Sequence, residues 1–451
     1  MIAASSLQPG QLRWPSWWQT LYIGLRPVAF YEHVRREHPQ AAVTRIAGLA
    51  PALMVYSPEL VKAVFGLPAE VYSGGAGNQV LEPIVGSTSV IVTDGNWHQR
   101  QRRLMRGAFT PERLARYSDT IAAITRQRLT PGTTGQPLSF LSLSRQMALD
   151  VIVATVFGVA TESGATADAE TQQLATAIGH YAELANAWPL LLPWFQQDWG
   201  PLSPWGRVLR SRAAADHLLF ELIAKQRQGG LPNNSVLASL VTVQDDDGTR
   251  LSDAEIRDAL VSLLVAGHET TATAMAWVVD FLAHHPCVQQ QAREVVLADS
   301  QREERSAAKR WPYLDALIRE ALRLRPVLSN VRRLLLKPAV IGPYEVPAGH
   351  AVAACAYLSH TDPEIYADPY GFKPERWLTQ RPDPAAYYPF GGGARYCLGF
   401  AFAMHEMTIM LATLLQHTDI KPGLAQPARI ERRGITFSPE RGARVKLEQR
   451  S

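Results

Sequence analysis

The segment from Ser252 to His285 constrains the fold more than any other part of the chain. Ile256, Leu260, Leu263, Leu264, Gly267, Ala274, Val278 and Phe281 recur there at helical spacing. Ser252-Asp253-Ala254-Glu255 has the order of a capping box, and Pro286 stops the run. Roughly thirty residues at 1.5 Å each make a rod of about 48 Å. Glu269, Thr270 and Thr271 interrupt its apolar centre, and two readings are open. Either the threonines bond back to carbonyls one turn earlier, with Glu269 on a solvated face. Or the helix widens at Gly267, and an acid and a hydroxyl serve chemistry.

The rest of the chain supplies the body that such a rod needs. With 451 residues, 47% of them apolar and 19% charged, it can bury roughly three quarters of its unfolded surface, which excludes disorder. A net charge of +4, from 45 Lys and Arg against 41 Asp and Glu, is too weak and diffuse to argue for nucleic acid. The three cysteines, Cys287, Cys355 and Cys397, form no Cys-x-x-Cys pair, so neither a disulfide framework nor a zinc site is expected. The N-terminus lacks a basic region followed by an apolar one, and no run of ~18 apolar residues occurs. A soluble cytoplasmic protein without a membrane span is therefore expected. Length alone suggests roughly three domains, but no linker, repeat or charge block marks a boundary, which predicts one domain over residues 1–451.

Helical composition dominates up to about Leu324, with Thr110-Pro111 opening one segment and Gln146 to Val159 reading as another. After Pro326 come short β-type runs, Val331 to Leu336 and Val352 to Tyr357, around the turns Gly342-Pro343 and Pro347-Ala348-Gly349. The expected class is mainly α with small β-sheets, the sheet following the helices.

Phe390-Gly391-Gly392-Gly393-Ala394-Arg395-Tyr396-Cys397-Leu398-Gly399 sets three glycines and a cation ahead of one cysteine, then enters a helical run, Phe400 to Leu415. A thiolate there is stabilised by the helix N-terminus and by loop N–H groups. A single soft thiolate suits haem iron. The rival readings are a buried cysteine beside a turn and a phosphate loop, although the glycines follow no phosphate-loop spacing. Upstream, Glu320 and Arg323 lie at i and i+3 on a helix from Tyr313 to Leu324, by themselves a common surface pair. Arg376, in Pro374-Glu375-Arg376-Trp377, offers a second guanidinium that can turn the pair into a buried, fork-bonded network fixing the cysteine loop.

These segments together resemble the cytochrome P450 family. Phe390 to Gly399 matches the haem-thiolate signature F-x-x-G-x-R-x-C-x-G at every fixed position, and Glu320-x-x-Arg323 with Arg376 matches the second signature and its third member. Ala266-Gly267-His268-Glu269-Thr270-Thr271 matches the oxygen-activating motif of the family's long helix. The resemblance implies the family's fold, one large domain of roughly a dozen helices, although the first 60 residues and Asp168 to Trp205 carry no matching motif. It implies haem b with Cys397 as thiolate ligand, and Phe390, Gly391 and Ala266 beside the cofactor. His98 and Arg102, spaced i and i+4, with Arg395 and Arg333 are the implied propionate contacts. Trp97 and Arg332 compete for two of those places, while most other arginines near His98 are expected in solvent. In this context Glu269 and Thr270 read as the acid and alcohol that deliver protons for O2 activation. Cys355 and Cys287 keep bland readings as packing or partly exposed thiols.

The same resemblance places Val80, Leu81, Ile84, Val85, Val265, Ala266, Val327, Leu328 and Val331 around the substrate. This aliphatic set implies a lipophilic substrate such as a terpenoid, fatty acid or other secondary metabolite. Trp188, Trp194, Trp199 and Trp205 fall in the segment expected over the pocket entrance. Only 54 residues follow Cys397, too few for a fused reductase, so the implied electron source is a separate ferredoxin or flavodoxin with its reductase, NAD(P)H acting only through it. The implied enzyme is a monomeric O2-using monooxygenase. Two alternatives are a haem-thiolate peroxygenase or isomerase that needs no partner, which Glu269 and Thr270 count against, and a non-catalytic haem sensor, for which no output module is present.

Overall fold

Both halves of the capping box at Ser252 are made. The Ser252 hydroxyl accepts from the Glu255 N–H at 3.3 Å and the Glu255 carboxylate accepts from the Ser252 N–H at 2.8 Å. The helix they start runs Asp253–His284, 32 residues, and Pro286 opens the next helix. This computed structural model describes residues 9–130, 133–158, 173, 176–181, 184, 196–200, 203–231, 234–298, 310–379 and 382–450. Among them are sixteen α-helices, eleven of at least eight residues, and four small sheets. The mainly α class with small sheets is what the structure has, and no described helix is long and apolar enough to cross a membrane.

The long helix lies between two apolar clusters. Its first half, Ile256 to Leu264, packs with Val208, Leu219 and Ile223 of the helix Pro204–Arg227. Its second half, Ala272 to Ala283, packs with Leu314, Leu317 and Ile318 of the helix Pro312–Leu324 and with Met407 to Leu415 of the C-terminal helix Phe400–His417. Residues 265–271 lie at the seam between the clusters. Ala266 is exposed there and Thr270 half-buried, so the interruption in the apolar pattern is where the two cores part.

Three expectations about secondary structure need correction. The run Gln146 to Val159 belongs to a helix Phe140–Val156 that begins earlier and stops before Gly158, whose φ of +74° no α-helix accepts. The sheet does not simply follow the helices. Its six strands run in the order Gly10–Gln11, Ala41–Thr44, Ala52–Val55, Ala351–Cys355, Asn330–Leu335, Tyr72–Ser73, so N-terminal strands flank a C-terminal pair. Ala52 pairs in parallel with Ala351, and Asn330 antiparallel with Cys355. Alanines at this contact let the strands be covered closely on both faces. Beyond Cys355 the chain turns into a short helix, Ala356–His360, rather than staying extended to Tyr357.

Candidate functional site

The cysteine loop is shaped by its glycines. Gly391 and Gly393 sit at φ +74° and +64°, and a Cβ on Gly392 would come within 2.4 Å of the Phe65 ring. The Cys397 N–H donates to the Phe390 carbonyl at 3.0 Å. The Phe390 and Phe400 rings meet edge to face at 4.8 Å, tying the loop to the helix that follows. Cys397 is exposed, yet enough protein surrounds it to desolvate the thiol. Burial pushes the thiol pKa up, opposed by the N–H of Gly399, by Arg102 and by the N–H of Phe400. A coordinated cation is what would tip this balance to thiolate. Leu398 and Val265 pack against the same apolar cluster, which brings the loop to the seam of the long helix.

Around this loop stand the cations singled out in the sequence. Arg333, on the strand Asn330–Leu335, is 1% exposed; its Nη2 donates to the Gly392 carbonyl at 2.7 Å and the guanidinium lies over Tyr72. Its Nε and Nη1 are buried without a partner. Arg332 turns to the other face of the strand and donates to the Ala50 carbonyl. His98 is buried on the helix Gly95–Arg106 with Arg102 half-buried one turn on. Burial, Arg395 and Arg102 push the His98 pKa down to about 4. Trp97 is exposed and donates to the Thr88 carbonyl at 3.3 Å. One neighbouring arginine does not follow the expectation of solvated surface groups: Arg100 bonds Asp245 and Glu255 at 2.8 and 2.7 Å. Arg103, which meets Asp246 at 3.1 Å, and Arg106 are exposed as expected. The donor set suits haem: an accessible thiol, a glycine loop that keeps backbone low, and an orphaned buried guanidinium that an anionic propionate would satisfy. His98, Arg102 and Arg333 are free to meet a propionate. Arg395 donates through Nη1 and Nη2 to the carbonyls of Val90 and Thr93 and to Asp94.

Glu320 is fully buried between two guanidiniums. It accepts from Arg323 Nε and Nη2 at 2.9 and 2.8 Å and from Arg376 Nε at 3.0 Å. The Trp377 indole N–H and the Lys373 backbone N–H complete its shell at 2.8 and 3.0 Å. Arg323 spends its remaining donors on the carbonyls of His360, Pro369 and Gly371. The network thereby ties the helix Pro312–Leu324 to the segment 360–377.

On the long helix, Thr270 donates to the Ala266 carbonyl at 2.5 Å in unbroken α-helix, so Gly267 does not widen it. Gly267 instead admits the neighbouring helix, since its Cβ would lie 3.3 Å from Ile152. Glu269 is buried rather than solvated and takes a forked ion pair from Arg145, at 2.7 Å for Nε. Of the aliphatic set, Val80, Leu81, Val265, Leu328 and Val331 present surface, with Val331 beside Gly391. Ile84 and Val85 are 1% and 0% exposed within a core cluster, and Val327 is buried in the other, so these three have little to offer a ligand. Trp199 is exposed and Trp205 buried; Trp188 and Trp194 lie outside the described residues. Cys287 is exposed, and Cys355 is buried with its thiol pushed up to about 12 by desolvation.

Three partners escaped the sequence reading: Arg145 for Glu269, Trp377 for Glu320 and Asp94 for Arg395. Only Asp94 had a local signal, since Thr93-Asp94-Gly95 places an N-cap residue just ahead of the helix with His98.

Comparison with known proteins agrees with this site. A sequence profile described as cytochrome P450 matches residues 8–447. A Mycobacterium tuberculosis protein named as cytochrome P450 135A1 is 33% identical over 452 residues, covering 98% of this chain and 95% of that protein. Another from that organism, named as cytochrome P450 137, is 33% identical over 404 residues, or 89% of this chain and 82% of the other. Among solved structures, a retinoic-acid-bound cyanobacterial CYP120A1 matches with a TM-score of 0.84 at 24% identity, over 99% of this chain and 100% of that one, a likeness of fold alone.

Proposed function

The chain belongs to the cytochrome P450 family and is a haem-dependent, O2-using monooxygenase, and from that premise we propose that Cys397 is its thiolate ligand and that it oxidises a lipophilic small molecule in the cytoplasm. The observation that carries this reading is the accessible Cys397 in a glycine-shaped loop that a buried Arg333 with two unpaired nitrogens also reaches. When bound, haem supplies the redox centre at which O2 is activated. The protein does the rest. The N–H groups of Gly399 and Phe400 face the sulfur and moderate its basicity. Arg333 and Arg102 would hold propionates by charge-assisted bonds, and His98, kept neutral, would donate a single hydrogen bond there.

Thr270 moves protons. Its hydroxyl hydrogen rests on the Ala266 carbonyl, leaving oxygen lone pairs to accept from a donor in the open seam. Arg145 holds both oxygens of Glu269, so the part of this acid in the relay requires that fork to open. Val80, Leu81, Val265, Leu328 and Val331 exclude water and favour an apolar substrate such as a terpenoid or fatty acid. Electrons come from a separate ferredoxin or flavodoxin, whose acidic surface suits a chain with more basic than acidic side chains.

The test is the carbon monoxide difference spectrum of the reduced protein. A far red-shifted Soret band is expected, and Cys397→His should move it to the position of His-ligated haem. A wild-type protein without that band, or a Cys397→His variant that keeps it, overturns the assignment.

A further inference from the structure

The helix Ser16–Leu25 carries its polarity inside out. Its protein-facing side is held by polar groups. Gln19 is fully buried, donating to the Trp14 carbonyl and accepting from the Arg45 N–H, both at 2.8 Å. Thr20 accepts from the Ala47 N–H at 2.8 Å, and Ile23 is the buried apolar residue among them. The opposite side presents Trp17, Trp18, Leu21 and Leu25, between 41% and 73% exposed. At about 100° per residue these four share one arc of about 100°. A helix facing water shows the reverse order, apolar groups in and polar groups out. No charged residue occurs in the helix at all.

What surrounds this face is basic. Arg13 and Arg26 bracket the helix and are exposed, and residues 9–31 contain no acid. The helix packs beside the strand Ile430–Arg433, where Ile430 joins the apolar cluster of Ile23 and both Arg432 and Arg433 are exposed. Glu431, the acid on that strand, is half-buried. Two apolar tips stand on the same supports. Leu49 lies in the loop that Ala47 ties to Thr20, Ile435 at the turn after Arg433, and both are exposed. Tryptophan and arginine together suit the headgroup layer of a bilayer, where indole rings sit across the polar boundary and guanidiniums meet phosphate. A second copy of the chain fits less well. Ten residues make a strip about 15 Å long and about 10 Å wide, far below the ~800 Å² per partner that a stable dimer covers. We propose that the helix Ser16–Leu25, with the loop 45–49 and the turn at Ile435, is a docking surface for an anionic lipid bilayer. The contact is peripheral, since no described helix is long and apolar enough to cross a membrane. It needs no haem, and it would hold the protein where lipophilic compounds accumulate.

The experiment is co-sedimentation of the full-length, haem-loaded protein with vesicles of phosphatidylcholine alone or of equal parts phosphatidylcholine and phosphatidylglycerol. Binding to the mixed vesicles should be at least about tenfold tighter than to phosphatidylcholine, and should weaken at high salt. Trp17→Ser with Leu21→Ser should weaken it by about tenfold or more, because both side chains bury apolar area among the headgroups. Arg13→Gln with Arg26→Gln should bring the mixed-vesicle affinity down towards that for phosphatidylcholine. All four positions are exposed, so both variants should keep the wild-type carbon monoxide spectrum, and the arginine pair carries the test if the apolar pair does not fold. Absence of binding to mixed vesicles, equal binding to the two vesicle types, or binding that neither pair of substitutions weakens overturns the proposal. So does a wild-type dimer in light scattering that Trp17→Ser with Leu21→Ser turns into a monomer, since a second copy would then cover this face.

Discussion

Thr270 shows how one side chain can be structural and chemical at once. Its bond to Ala266 satisfies the hydroxyl inside the helix, as threonines in helices generally do. What separates it from Thr271, buried one residue on, is its place at the seam, where helix surface is open. Thr270→Ala removes a hydroxyl and no packing partner, so folding stability should change by less than about 0.5 kcal/mol. Turnover should behave differently: substrate still binds, but NAD(P)H consumption runs to hydrogen peroxide in place of product. The ratio of peroxide to NAD(P)H measures this, and wild-type coupling in the variant would rule the hydroxyl out as a relay. Thr270→Ser should retain most coupling. The hydroxyl was legible in the sequence because its motif is local. The Arg145 fork on Glu269 was not, since 124 residues separate the partners and no short pattern encodes the packing that joins them.

Between elements, the decisive contact is the buried carboxylate joining the helix Pro312–Leu324 to residues 360–377. A surface Glu–Arg pair at i and i+3 stabilises by a few tenths of a kcal/mol, but Arg323 and Glu320 are both 0% exposed, which changes the arithmetic. Glu320→Ala leaves Arg323 buried and uncompensated, and removing one partner of a buried pair costs about 3 to 5 kcal/mol. The urea midpoint should fall accordingly, and haem retention with it, because the Tyr387 hydroxyl on the way to the cysteine loop bonds the Arg319 carbonyl of the same helix. A Glu320→Ala protein with an unchanged midpoint would show that the network carries no stability. The helix and its acid–base spacing could be read from sequence, as could the long helix with its caps. The strands Gly10–Gln11, Ala41–Thr44 and Ala52–Val55 could not. They are two to four residues long, too short to show alternation, and only Val43, Thr44 and Val55 in them are β-branched. Their pairing comes from tertiary contact with Ala351–Cys355.

Across the whole molecule, buried titratable groups set the pH range in which the fold persists. His360 is fully buried, its Nε2 accepts the Tyr388 N–H at 2.9 Å, and burial with the Arg323 charge pushes its pKa down to about 3. Burial likewise takes His405, bonded to Ser118, down to about 4. Both titrate near 6.5 when unfolded. Below about pH 6.5 the unfolded chain therefore binds protons that the native state refuses, and each histidine withdraws up to about 1.4 kcal/mol of stability per pH unit until its native pKa is reached. Above pH 6.5 neither contributes any slope. Glu406, next to His405 and buried with Oε1 unpartnered, works in the opposite sense. Burial raises its pKa well above the usual value, so the native state keeps a proton that the unfolded chain loses, and stability falls as pH rises past about 4.5. His98, also held down to about 4, adds to the two histidines, so between pH 4.5 and 6.5 they outweigh the glutamate, and above that range Glu406 is no longer opposed by them. Stability should therefore peak near pH 6.5 and decline on both sides. Glu406→Met, in a cluster that already holds Met404, Met407 and Met410, should flatten the alkaline limb and leave the acid limb in place. Urea midpoints of both proteins from pH 4.5 to 8.5 decide the matter: an alkaline limb that persists in Glu406→Met would mean that other groups impose it, and a flat acid limb in wild type would mean that His360 and His405 accept protons in the native fold.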